Sequence, residues 1–314
     1  MNNFTKRWDE VNNQKKVWDN IAIDDNKFYY QFEREKIFLS SFKDKDLPES
    51  QYKLTALGNM ITKLSSCANI MSKRPGTEEV TFYCHLNKSH GSGLNKIVDK
   101  KMLEKIAPPI NWRRDIVIEF VNKVLHDYVF NIKEDFAVID IGCGGGFDSL
   151  EIERIMKGID SDLHYKIVNV DIDREWLKNN ENLASKMFGK ESKISRYNVS
   201  IFDYFDEYIY KNDFEGFDNL IVLCNGFAEF FDDSNLTRLY KCIYKITKEF
   251  KGKVDIVLPF SVKNKKQEKI GEKIGFKYRT KSKDYMLNLV KDIFEGFEVD
   301  FEEKYSQIVL KLTN

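Results

Sequence analysis

From Phe136 onward, short continuous apolar runs alternate with segments whose apolar residues recur every three or four places. The first kind of segment marks a strand covered on both faces, the second a helix with one buried side. This pattern predicts strands at 136–141, 166–171, 193–198, 218–224 and 254–259, with helices near 147–157, 173–188, 201–211 and 233–249. Strands separated by helices imply crossover connections, and so a parallel sheet with helices on its faces. Two extended runs, 297–304 and 307–312, close the chain. They lie too near each other for a crossover helix and are expected to pair as an antiparallel hairpin.

Before Phe136 the spacing is helical. Phe4, Trp8, Val11, Trp18 and Ile21 fall near one helical face, and 28–42 and 50–71 read as two further helices. Tyr52, Leu57, Ile61, Leu64 and Ala68 line the last of these. Pro75-Gly76 marks a turn, and Pro108-Pro109 is expected to separate this region from a helix over 112–130. The resulting division is a helical cap over residues 1–110 and an α/β domain over residues 111–314. Within the cap, His85 and His90 stand beside Gly91-Ser92-Gly93. The stretch 83–94 is expected to be a mobile loop that closes over the active site. Imidazole can serve as a general base near neutral pH.

The chain has 314 residues, 42% of them apolar and 14% aromatic, enough to bury a sizeable core. Fifty basic and fifty acidic side chains cancel, which disfavours a general polyanion binder such as a nucleic-acid platform. Five scattered cysteines without a Cys-x-x-Cys pair suggest neither a disulfide framework nor a zinc site. No apolar segment is long enough to span a bilayer, and residues 1–8 lack the apolar core of a signal peptide. A cytoplasmic enzyme is the expectation.

The end of the first long strand carries the chemistry: Asp140-Ile141-Gly142-Cys143-Gly144-Gly145-Gly146, followed by a helical segment. Glycines let a ligand approach the backbone closely and tolerate positive φ. A loop leading into a helix N-terminus presents bare N–H groups. The dinucleotide fingerprint would want its third glycine where this chain has Phe147, and a phosphate loop would end in Gly-Lys-Ser/Thr, which is absent. Asp140-x-Gly142-x-Gly144-x-Gly146 instead resembles motif I of the class I S-adenosylmethionine (SAM) dependent methyltransferases. The second strand ends at Asp171, where the resemblance implies a carboxylate that holds both ribose hydroxyls.

The resemblance covers roughly 112–314 and implies a Rossmann-like sheet whose last strand inserts antiparallel. It also implies SAM as cofactor, bound by Asp140, Gly142, Cys143, Gly144, Gly146, Asp171 and Ile172. The resemblance further places Asn198 at the adenine amino group, with Asp203 as the alternative, adds Val199 to the cofactor-binding set, and puts Cys224 and Asn225 at the border of the reaction site. The segment after the fourth strand lacks the Asn/Asp-Pro-Pro-Tyr/Phe pattern of base- or glutamine-directed amino methyltransferases. His85, His90 and Glu229 are the candidate bases. No metal triad is apparent, and Asp232 and Asp233 fit a helix cap. The expected reaction is methyl transfer to an oxygen or nitrogen of a small-molecule acceptor. A protein or peptide methyltransferase and a catalytically silent SAM-binding partner subunit are the alternatives.

Overall fold

The computed structural model describes residues 3–23, 29–32, 35–38, 54–73, 78–159, 162–207, 209–275 and 280–314. The chain opens with helix α1 (Asn3–Asn12), a 3-10 turn (Val17–Asn20), and strands β1 (Ile21–Ile23), β2 (Tyr29–Phe32) and β3 (Glu35–Phe38). These three strands form an antiparallel meander. The expected helix over 28–42 is therefore wrong in its described part. Phe28, Tyr30 and Phe32 stand at every second place, and aromatic residues favour strands. The first expected helix likewise ends at Asn12, before Trp18 and Ile21.

Helices α2 (Ala56–Leu64), α3 (Ser66–Lys73) and α4 (Glu78–Leu86) follow. The single helix expected over 50–71 is broken at Ser65, whose backbone is extended; its first residues, 50–53, lie outside the described residues. Residues 83–86 are not loop but the last turn of α4, leaving 87–92 as the connector. Next comes α5 (Gly93–His126), which runs through Pro108 and Pro109 without a break. A proline pair in a helix interior removes two hydrogen bonds and costs several kcal/mol locally. Met102, Leu103, Ile106, Pro109, Arg113, Val117, Val121 and Val124 are nonetheless buried in one unbroken stripe on both sides of the pair. Tertiary packing of that stripe outweighs the local penalty. The 110/111 boundary thus falls inside a continuous helix.

The remainder is the main sheet with its covering helices: β4 (Phe136–Ile141), α6 (Phe147–Ile159), β5 (Tyr165–Asp171), α7 (Arg174–Phe188), β6 (Ile194–Asn198), α8 (Ile201–Asp206), α9 (Ile209–Phe214), β7 (Asn219–Leu223), α10 (Asp233–Glu249), β8 (Lys253–Ser261), α11 (Lys265–Ile274), α12 (Lys283–Ile293), β9 (Glu298–Lys304) and β10 (Gln307–Thr313). The strand order is β6-β5-β4-β7-β8-β10-β9. β10 runs antiparallel between β8 and β9, and the other pairings are parallel. This is the Rossmann-like methyltransferase sheet that the motifs led us to expect. The helix expected over 201–211 is divided into α8 and α9, and the pattern did not foresee α11 and α12.

Successive strand residues face opposite cores, as the two-residue strand period requires. Val138, Ile167, Ile221, Val257 and Val309 pack with α5, α6 and α7 on one face. Ile139, Val168, Val222, Ile256 and Leu310 pack with α8, α10 and α12 on the other. The first of these cores also contains Val11, Val17, Trp18, Met71 and Phe82, so the N-terminal segments share it with the sheet. A hydrogen-bonded set fastens them. Arg154 donates to the carbonyl of Val11 (2.9 Å) and to both Glu151 oxygens, while Glu151 accepts from the Val17 N–H (3.1 Å).

Candidate functional site

The parallel register lines up the strand ends. Asp171 pairs with Asn198 across β5 and β6, and Asp140 lies beside Leu223 across β4 and β7. Ligands of open α/β sheets bind at this carboxyl edge, and the glycine loop forms its centre. Gly142, Gly144 and Gly146 have φ of +62°, +52° and +57°, the left-handed region that disfavours any Cβ. A side chain at Gly142 would collide with the Phe227 ring, and one at Gly144 with the Glu78 carboxylate. The Gly142 N–H donates to the Val170 carbonyl (2.9 Å), and the Gly146 N–H closes the turn on the Cys143 carbonyl (2.7 Å).

Asp171 sits directly against the loop. Its Oδ2 accepts from the Gly144 N–H (2.8 Å) and its Oδ1 from the Asp173 N–H (2.7 Å). A carboxylate has about four lone-pair positions, so both oxygens can still accept from a ligand's hydroxyls. Next to it Ile172 is 64% exposed, an apolar side chain at the rim. Asn198 donates through Nδ2 to the carbonyls of Asp171 (3.2 Å) and Ile172 (2.9 Å), tying the ends of β5 and β6 together. Val199 is half-buried beside Asn198, and Asp203 is exposed on α8.

Asp140 is buried, and its Oδ2 lies 2.8 Å from the Ser149 hydroxyl, which is also 2.5 Å from Asn169 Oδ1. One hydroxyl proton cannot serve both acceptors. Burial first, and the Asp148 carboxylate second, push the Asp140 acid well above its ordinary range. The Ser149 hydroxyl donates to Asp140, and the Asn169 amide group lies on its other side.

Carboxylates accumulate around the loop. Asp148 in the first turn of α6 accepts from Asn225 Nδ2 (2.8 Å). Glu78 from α4 touches Gly144, and Asp173 caps α7. Glu78, Asp148, Asp171 and Asp173 are all shifted upward, with burial the first cause in each; Asp173 reaches about 7. Such a site favours a ligand carrying positive charge.

Beyond β7, Cys224 is buried and its thiol is pushed up by that burial, the condition of an inert packing cysteine. Cys143, in the loop, is pushed up in the same way. Asn225 Oδ1 finds no hydrogen-bond donor among the described residues. Glu229 is committed elsewhere: Arg113 Nη1 donates to both its oxygens (3.1 and 3.3 Å) and Ser261 to Oε2 (2.7 Å). Gln307 completes the set, accepting from Arg113 (3.3 Å) and donating to Ser261 (2.7 Å).

His85 shares this neighbourhood. Its Nδ1 is 3.1 Å from Asn111 Oδ1, its ring lies 6.5 Å from that of Trp18, and Arg114 stacks on Trp18 at 4.3 Å. Burial, followed by Arg114, pushes His85 down to about 3, so the ring is neutral and a very weak base. His90 belongs to a different assembly. Buried Asp99 accepts from Ser65 Oγ (2.7 Å), the Cys67 N–H (2.9 Å), the Tyr83 hydroxyl and the His90 N–H (2.8 Å), stapling α3, α4 and α5 together. The connector after α4 is pinned by this carboxylate.

The sequence reading missed Glu78, Phe82, Arg113, Arg114 and Asp148. One signal for Arg113 was present: it falls on the apolar stripe of α5, where a charge needs a buried partner. Among the described residues no helix is long and apolar enough to cross a membrane, and no group of three His, Cys, Asp or Glu is placed to hold a metal ion.

No protein-family model matches the sequence. No curated protein matches it either. Solved structures do. A putative methyltransferase from Thermobifida fusca superposes with a TM-score of 0.50 at 9% identity, covering 74% of this chain and 92% of that one. Magnesium protoporphyrin IX methyltransferase from Synechocystis PCC 6803, with bound S-adenosylhomocysteine (SAH), gives 0.49 at 11% identity, covering 81% and 99%. At such identity the likeness of the Thermobifida structure shows the fold alone, a Rossmann-like methyltransferase fold.

Proposed function

We propose that the protein binds SAM on the glycine loop and transfers its methyl group to an oxygen or nitrogen of a small-molecule acceptor. The observation that carries the reading is the loop itself: left-handed glycines at the carboxyl end of β4, with Asp171 hydrogen-bonded to Gly144 and still able to accept from two hydroxyls. The residues fit the group. Asp171 would take the ribose hydroxyls, Ile172 and Val199 would pack on the adenine, and Asn198 would hold the adenine edge. The concentration of carboxylates suits a cationic ligand. When bound, SAM supplies a methyl group already activated by its sulfonium centre.

The protein's own task is then to orient and to exclude water. α4 lies over the loop, held by Phe82, whose ring stacks on Phe147 (4.7 Å) and meets Trp176 edge-on (5.4 Å). Cys224 to Phe227, beyond β7, border the position of transfer. His85 is neutral and Glu229 is held by Arg113 and Ser261, so neither is suited to draw a proton from a weakly acidic hydroxyl. This favours an acceptor whose lone pair is available without a strong base, such as a neutral amine or a carboxylate.

The same engaged carboxylate also fits the silent SAM-binding partner, and one experiment separates the two. Purified protein is titrated calorimetrically with SAM and SAH, then incubated with methyl-labelled SAM and a small-molecule extract. Binding of both with labelled product supports the enzyme, and binding without product supports the silent partner. No binding of either at millimolar concentration refutes the proposal.

A further inference from the structure

We propose that Glu78, on α4, is a donor-binding residue that supplies the counter-charge for the cationic end of SAM; this rests on the cofactor reading above. Glu78, Phe82 and His85 stand at i, i+4 and i+7, on one face of α4. Phe82 fixes the register of that face by packing against Phe147 and Trp176, the residues that also hem in Gly145. With Phe82 seated, the Glu78 carboxylate rests on Gly144, at the middle of the glycine loop. A ligand that uses the loop's backbone must therefore touch Glu78.

Among the described residues no hydrogen-bond donor or cation faces Glu78. Asp171, Asp148, Asp140 and Glu79 do, and each repels it. Arg113 and Arg114 act on Asp148 from the α5 side, and both have their own carboxylates, Glu229 and Asp115. The described carboxylates are not arranged to share a metal ion. An extended organic cation is a class of balancing charge that suits this position, and SAM brings two positive groups, a sulfonium and an ammonium. The cap thus completes the cofactor site: a fully formed glycine loop without α4 would lack this contact.

The test uses the full chain carrying Glu78→Gln, which keeps shape and removes charge, with Glu78→Asp as the charge-retaining rescue. SAM and SAH are titrated calorimetrically at pH 8, and thermal midpoints are taken without ligand. We expect Glu78→Gln to weaken SAM by about tenfold or more, Glu78→Asp to recover part of the loss, and the unliganded midpoint to stay level or rise. A larger loss for SAM than for SAH assigns the charge to the sulfonium, and an equal loss to the ammonium; either supports the proposal. Affinity unchanged within twofold, or tightened by Glu78→Ala, overturns it and makes Glu78 a mere obstruction. A lowered midpoint in Glu78→Gln with no rescue by Glu78→Asp also overturns it, in favour of a structural role. If the unaltered protein binds neither ligand, the cofactor reading fails instead.

Discussion

Replacing Asp173 by asparagine should stabilise the protein at alkaline pH. Asp173 is only 6% exposed and caps α7, its Oδ1 accepting the N–H groups of Glu175 and Trp176 (3.1 Å each). Burial raises its pKa to about 7; the Trp176 N–H opposes the rise, and Asp171 and Glu79 add to it. The folded state therefore holds this proton more tightly than the unfolded chain, whose ordinary value is 3.8. Below about pH 4 both states are protonated and there is no penalty. Between pH 4 and 7 the unfolded chain alone releases its proton, so stability falls with rising pH and levels off above 7. The distance from 3.8 to about 7, at about 1.36 kcal/mol per pH unit, amounts to roughly 4 kcal/mol. Asparagine keeps a capping oxygen and carries no charge. Urea titrations followed by circular dichroism should show Asp173→Asn more stable than the unaltered protein by about 2–4 kcal/mol at pH 8, the gap closing toward pH 4. A variant no more stable at pH 8, or a gap independent of pH, would refute the reasoning.

Asp171→Ala should weaken SAM by at least about 1.5–3 kcal/mol for each hydrogen bond lost, and unchanged affinity in calorimetry would remove Asp171 from the site. Phe82→Ala should cost about 3–5 kcal/mol of stability in urea unfolding, since a fully buried ring leaves its place between Phe147 and Trp176 empty. Asp99→Ala strands four donors; a loss of about 3–5 kcal/mol and faster proteolysis at 87–92 should follow, and resistance equal to the unaltered chain would contradict the staple. With His85 pushed down to about 3, His85→Asn should leave the shape of the pH–rate profile between pH 5 and 9 unchanged, whatever it does to the rate.

The sheet and its loop were legible because strands covered on both faces must be apolar throughout, and because left-handed backbone leaves glycines behind it. Gly142, Gly144 and Asp171 announce themselves through residue type and position. The N-terminal third was less legible, since its elements are fixed by what they pack on. Pro108 and Pro109 read as a break because local cost is visible in sequence and the buried stripe compensating it is visible only in three dimensions. The aromatic run at 29–32 satisfies a helical and an alternating reading at once, and pairing with β1 and β3 decides it. His85 and Glu229 were picked for residue type, and the groups that set their chemistry, Asn111 and Arg114 for the one and Arg113 and Ser261 for the other, come from other parts of the chain. α11 and α12 carry short apolar faces, Gly271 and Ile274 in one and Met286, Val290 and Ile293 in the other, too little to stand out among their lysines.

The boundary at residue 110 is better kept as a division of roles than of cores. Val11 touches Gly158 of α6, Val17 is held by Glu151, and Phe82 lies between α6 and α7. Each contact brings the N-terminal third onto elements that flank the glycine loop. A hinged lid would keep its own core and meet the sheet through a polar, separable face. Here the covering helix α4 is instead anchored by a ring buried in the common core, and α5 runs on as one helix from the cap to the face of the sheet. The geometry over Gly144 is thereby set by the packing of Phe82, which places control of access to the loop in the seating of α4. The connector at 87–92 is tied to the same helices where the His90 N–H meets Asp99.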